Sequence, residues 1–347
     1  MAQIVKQLGV KNSTPLLSDL MLEGIDAYYG QKNGHQYIKD YSKAYRCFSE
    51  AARLGDENAT WLIGRMYFYG QGCKQSYRQA ATYFKKAALM GVKEARFELA
   101  RCYFYGLGAK RNEEKAIHYL SLAADQGHAL SQDLLARAYL QGEGGLEKNE
   151  ERAVHYFSLA AEQGIVESQY SLHLRYEYGQ GVIQDCYIAM QYLRMAAENG
   201  YAPAERKLGE AYYYGDCGLH QDYALAFYWC QRAAKQEDAE AQYCCGLSFQ
   251  KGEGVKQDLL KAIEYHRAAA KQDYVAAHLQ LFRAIVQLGA EEYYKEGFNA
   301  LLKGAKLNDK DCMYGLSLIY RIGIYGAPCN PEKADYWHRK YAEVQSE

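Results

Sequence analysis

The chain has 347 residues, with 41 Lys and Arg against 42 Asp and Glu, a formal net charge of −1 at pH 7. Apolar residues at 49% and charged residues at 24% are those of a folded globular protein, and the near-zero charge weighs against the broad basic surface that nonspecific nucleic-acid binding needs. No stretch is long and apolar enough to span a bilayer, and MAQIVKQLGVKNSTPLLSDLMLEG lacks the unbroken apolar run of a secretory signal. A cytoplasmic protein is expected.

Residues 1–18 form an N-terminal segment in which Ser13-Thr14-Pro15 reads as a helix start. Residues 19–58 read as an irregular first repeat. Gly24 and Gly30 match Gly64 and Gly70 of the next copy, and Ala44, Phe48, Ala51, Ala52 and Gly55 match its second helix. The loop GQKNGHQYIKDY carries about four residues more than the next turn, and insertions in repeat arrays fall in loops on one face. From Ala59 to Gly91 the pattern becomes regular: Ala59, Ile63, Gly64 and Tyr67 share one helical face. Gly70 and Gly72 then break the helix. Ala80, Tyr83, Phe84, Ala87 and Ala88 line a second helix, and Gly91 closes it.

The same unit recurs. Ala59, Ala95, Ser131, Ser168, Ala204 and Ala241 lie 36 or 37 residues apart, giving six regular copies over 59–276. A fixed period of that size means stacked hairpins, since one hairpin cannot bury its own apolar face. Small residues belong where helices approach closely, and the aromatics at Tyr67, Tyr103, Tyr139, Tyr176, Tyr212 and Phe249 fill the wider gaps. Gly64 and Gly209 stand at such approaches, where leucine should overpack and alanine should be accepted. Residues 277–311 form a degenerate copy without the Gly-x-Gly turn. Residues 312–347 recover the pattern and end in a capping helix. The expectation is an all-α, α/α superhelix (solenoid) of about nine hairpins, about eighteen helices and no strands.

The unit is spelled as a small residue, Leu/Ile-Gly, Tyr, Gly-x-Gly, Lys/Glu-Ala, Tyr and Ala-Ala-x-x-Gly. It is clearest in LGEAYYYGDCGLHQDYALAFYWCQRAAKQ and CGLSFQKGEGVKQDLLKAIEYHRAAAKQ. This resembles the Sel-1-like repeats, relatives of the tetratricopeptide repeat, over nearly the whole chain. The resemblance implies a protein-interaction scaffold or adaptor, since the family includes bacterial proteins that contact host partners and regulatory subunits of larger complexes. It also brings two alternatives: a β-lactam hydrolase, as proposed for some cysteine-rich relatives, and a protein exported into a host cell without a classical signal peptide. The irregular end repeats offer a third, a structural subunit of a larger complex that assembles through them.

The residues favour no enzyme, cofactor or metal site. The Gly-x-Gly pairs follow helices in repeat after repeat, so they are turns and not phosphate loops, which follow strands. His118 and His155 repeat on successive helices and read as solvated surface residues. The ten cysteines include no Cys-x-x-Cys, and their scattered placement reads as reduced thiols of a cytosolic protein. The informative positions are those a first helix turns into a concave groove: Trp61, Arg65, Phe68 and Tyr69; Phe97, Arg101, Phe104 and Tyr105; then Asp133, Arg137, Leu140 and Gln141. Later copies place Tyr170, Leu174, Glu177 and Tyr178, then Arg206, Glu210, Tyr213 and Tyr214, there. Aromatics and arginines are the residue types that anchor interfaces, so another protein is the expected occupant. Pairing of each arginine with a nearby carboxylate, Glu98 foremost, is the competing reading.

Overall fold

The computed structural model describes residues 15–33 and 36–345, without side chains for residues 31–38. These residues contain eighteen α-helices, which divide between two compact units, Met1–Gln184 and Asp185–Glu347.

The first unit holds α1 (Pro15–Tyr29), α2 (Tyr41–Arg53), α3 (Glu57–Tyr69), α4 (Tyr77–Leu89), α5 (Lys93–Tyr105), α6 (Glu113–Asp125), α7 (Ala129–Gln141), α8 (Glu150–Glu162) and α9 (Val166–Tyr178). In the second unit lie α10 (Cys186–Glu198), α11 (Ala202–Tyr214), α12 (Tyr223–Lys235), α13 (Ala239–Lys251), α14 (Leu259–Lys271), α15 (Val275–Leu288), α16 (Tyr294–Lys306), α17 (Lys310–Ile322) and α18 (Pro331–Gln345). Within each unit the helices form an α-solenoid of stacked hairpins.

Local chemistry sets both ends of the helices. Asp40, Ser76, Asn112, Asn149, Asp185, Asp222 and Asp258 each accept a first-turn N–H of a second helix, as side-chain N-caps do. First helices end on a left-handed glycine, Gly70 at φ 68° and Gly106 at φ 71° being typical. The second glycine of the turn has another duty. An added Cβ at Gly72 or Gly108 would overlap the carbonyl of Tyr41 or Tyr77, the first residue of the preceding hairpin's second helix. Turn and neighbouring hairpin are thus in backbone contact, which only glycine allows.

Inside a hairpin, the second-helix ring at Phe48 or Phe84, fully buried, lies against Gly24 or Gly64 of the first helix. Leu120, Phe157, Leu193, Cys230 and His266 hold the corresponding second-helix place and are all buried. Tyr67 stacks on Tyr83, Tyr103 on Tyr119, and Tyr139 on Tyr156, with ring centroids 5.6, 5.9 and 5.9 Å apart. Lys115 and Arg152 cover the Tyr103 and Tyr139 rings.

Three expectations are corrected. The first-repeat loop is not bare: β1 (Gln31–Asn33) and β2 (Gln36–Ile38) pair antiparallel, with Gln31 opposite Ile38 and Asn33 opposite Gln36. The inserted residues satisfy one another's backbone groups across the loop. Nor are all ten cysteines reduced, because Cys186 and Cys217 form a disulfide with Cα atoms 5.8 Å apart, leaving eight free. Cys217 occupies the second-glycine place of the α11–α12 turn and Cys186 opens α10, so the bond spans the contact that backbone atoms make elsewhere. That pairing removes the cysteine argument for a reducing compartment. Finally, neither Gly64 nor Gly209 accepts alanine freely: a Cβ would stand 2.6 Å from the Phe84 ring at Gly64, and 2.6 Å from Cys230 Sγ and 3.0 Å from the Ala226 carbonyl oxygen at Gly209.

Candidate partner-binding groove

The expected groove residues fall into two sets, one in each unit. In the first unit, α3 carries Trp61 and Arg65, whose guanidinium lies 5.3 Å from the centre of the Trp61 ring. One repeat on, Arg101 of α5 sits between the Phe68 and Phe97 rings, 5.9 Å from each. It donates to Glu98 at 2.9 Å. Burial pushes the Glu98 carboxyl up, and the charges of Arg101 and Arg65 pull it back. Arg137 of α7 donates through two nitrogens to Asp133, at 2.8 and 3.3 Å. Asp133 is buried and also accepts from Ser168 at 2.7 Å.

The aromatic pair ahead of the α3–α4 turn divides its work. Phe68 turns inward, edge-on to Tyr77, whereas Tyr69 is 50% exposed. Phe104 and Tyr105 of the next turn are both exposed, at 37% and 63%. Tyr178 is exposed at the end of α9, and Tyr170 is half-buried against His173. Phe97, Arg101, Phe104, Tyr105 and Arg137 line one cavity of about 520 Å³. Leu134, Leu140 and Gln141 continue its wall, while Ile117, Leu120 and Phe157 of the second helices form its floor. The result is an apolar trough with two guanidinium groups on its wall, each anchored by a carboxylate of its own helix.

In the second unit Arg206 is held by three carboxylates, Glu210 at 2.6 Å, Glu240 at 3.0 Å and Asp238 at 3.5 Å. Tyr213 donates to Glu253 at 2.9 Å and lies beside Lys251, while Tyr214 is exposed. Tyr213 and Tyr214 line a separate cavity of about 440 Å³ together with Glu210, Tyr243 and Cys244. Arg206 therefore completes an ion cluster and, unlike Arg101, lines neither cavity.

Glu98 was the carboxylate that sequence reasoning named. Asp133 was placed in the groove but not recognised as the partner of Arg137, although their i, i+4 spacing is the signal. The Arg206–Glu210 pair has the same spacing. The role of Tyr243 and Cys244 in a second cavity had no signal beyond repeat register. His118 and His155 are exposed, each edge-on to the following tyrosine. Among the described residues no three His, Cys, Asp or Glu side chains converge as metal ligands, and no helix is long and apolar enough to cross a membrane.

Stacked two-helix units presenting a continuous side-chain surface define a helical-repeat protein. The chain belongs to the Sel1 repeat family, whose repeat matches at residues 27–56, 58–92, 93–128, 129–165, 166–201, 202–238, 239–274 and 310–343. Sel1 repeat proteins are generally protein-interaction scaffolds. Among solved structures the chain is similar to c5321, a protective antigen of uropathogenic Escherichia coli with an SLR fold. The two share 27% identity and a TM-score of 0.63 over 98% of this chain and 79% of that one. A Sel1 repeat protein from Oxalobacter formigenes is 29% identical, with a TM-score of 0.61, over 78% and 82% of the two chains. The uncharacterized protein NMB1327 of Neisseria meningitidis is 30% identical over 106 residues, 30% of this chain and 22% of that protein. The matched region thus spans about a fifth of that relative's length.

Proposed function

We propose that the protein is a non-catalytic scaffold whose first-unit groove takes an extended segment of a partner protein carrying apolar and acidic side chains. The observation behind this reading is the 520 Å³ trough lined by Phe97, Arg101, Phe104, Tyr105 and Arg137. Rings on its wall and floor offer apolar area to an anchor residue. Guanidinium groups held in place by Glu98 and Asp133 lose little further freedom on meeting a carboxylate.

Testing it requires variants that do not break buried pairs. Charge reversal at Arg101 or Arg137 would place a carboxylate beside Glu98 or Asp133. Paired neutralisation avoids this: Glu98→Gln with Arg101→Gln, and Asp133→Asn with Arg137→Gln. Random peptides displayed against the full chain should enrich sequences with Asp or Glu next to an aromatic or aliphatic residue. Their affinity should fall with added salt, and by about tenfold or more in the neutralised variants, the scale of one or two charged hydrogen bonds. Selected peptides that bind the folded variants as tightly as wild type would remove this site and leave the fold untouched.

A further inference from the structure

The Cys186–Cys217 bond is out of character with its repeat. In five other turns the second glycine, at 72, 108, 144, 181 or 254, faces backbone atoms of the first residue of the preceding hairpin's second helix. In the α11–α12 turn that place belongs to Cys217, which keeps the left-handed backbone at φ 52° although it carries a Cβ. Its counterpart, the first residue of α10, is Cys186. Both residues are exposed. A contact made elsewhere by backbone packing is here made by a covalent bond open to solvent.

The two sulfurs are not equivalent. Cys186 is the first residue of a 13-residue helix. Asp185 accepts one first-turn N–H, that of Ile188, at 3.0 Å. The other first-turn N–H groups have no acceptor within the helix, and the helix N-terminus favours negative charge. A thiolate is therefore better stabilised at Cys186 than at Cys217, and the more stable thiolate leaves faster in exchange.

We propose that Cys186–Cys217 is a thiol–disulfide exchange site for small thiols, with Cys217 as the sulfur attacked. A small-thiol thiolate bonds to Cys217 Sγ, the S–S bond breaks, and its electron pair leaves with Cys186 Sγ as thiolate. A second small thiol attacks the mixed disulfide, releases the oxidised small-molecule disulfide and leaves Cys217 as a thiol. Two small thiols thus supply the two electrons that reduce the bond. Once it opens, the α11–α12 turn retains neither the staple nor the glycine contact, so it loosens beside Tyr213 and Tyr214.

Glutathione is a suitable probe, applied to the full chain purified without reductant. After brief exposure, acid quench and alkylation, peptide mass spectrometry should find the glutathione adduct on Cys217 several-fold more often than on Cys186. Hydrogen exchange at 215–222 should quicken several-fold, with the glycine turns at 70–76 and 252–258 unchanged. The variant Cys186→Ser/Cys217→Gly restores the glycine turn, so its exchange at 215–222 should be slow with or without glutathione. Ten free thiols in the purified protein, adducts favouring Cys186, or glutathione-dependent exchange in the variant would each overturn the proposal.

Discussion

Gly64 shows how much rests on one missing methyl group. A Cβ there would lie 2.6 Å from Cδ1 of Phe84, whose ring is fully buried and has no room to withdraw. Helix propensity alone favours alanine over glycine, but the overlap outweighs that gain. Gly64→Ala should lose about 1–3 kcal/mol in urea melts, the usual cost of overpacking. The double variant Gly64→Ala/Phe84→Leu should lose less than the sum of its two singles, because the smaller side chain makes room. Strict additivity would show that the two residues do not share this contact. His266 holds the same place against Gly246, whose added Cβ would lie 2.5 Å from its ring. Burial pulls its imidazole down to about 4, so the folded protein keeps it neutral where the unfolded chain would protonate it. The folded value is the depressed one. Its contribution is therefore present above the unfolded pKa near 6.5 and is lost as pH falls toward about 4, by on the order of 3 kcal/mol in all. His266→Phe, with the ring that Phe84 supplies elsewhere, should fold at pH 7 and lose less stability between pH 7 and 4.5. An unchanged slope in thermal melts would assign that acid sensitivity to other groups.

At the scale of elements, helices were legible because their signals are local. A Ser, Asn or Asp ahead of most second helices and a glycine after each first helix mark boundaries without tertiary knowledge. Repetition multiplied those signals across the array. The β1–β2 pairing was hidden because a single inserted loop has no second copy to compare with. The Cys186–Cys217 bond escaped for a different reason: its halves occupy different registers in different hairpins, and counting cysteines per repeat cannot align them. Laying Cys217 on the second-glycine place would have exposed it. Groove residues were legible as a face but not as a site. Periodicity puts Phe68 and Tyr69 at the end of one helix, yet only packing decides that Phe68 turns toward Tyr77 while Tyr69 meets solvent. Likewise, spacing put Arg65, Arg101 and Arg137 in one series and Arg206 at the Trp61 place, whereas only packing brings Glu240 and Asp238 of the next hairpin onto Arg206.

At the scale of the molecule, each unit is nearly one-dimensional. Within the first unit α4 packs chiefly on α3 and α5, and α8 on α7 and α9; helices far apart in sequence share no comparable contact among the described residues. Stability in such an array is a sum of hairpin and nearest-neighbour terms, so damage should stay local until neighbours can no longer hold. Phe84→Ala is the sharpest probe, because the ring is fully buried at the centre of the α3–α4 hairpin. Removing it should cost about 3–5 kcal/mol, the range for a buried Phe→Ala. In a globular domain unfolding as one unit, that loss would raise hydrogen exchange everywhere by the same free energy. Here exchange should quicken most in α3, α4 and α5, while α7 and α8 keep most of their protection. Hydrogen exchange read peptide by peptide under native conditions distinguishes the two. Equal loss of protection from α3 through α8 would mean that the first unit behaves as one cooperative block, and that nearest-neighbour stacking does not limit how far a defect spreads.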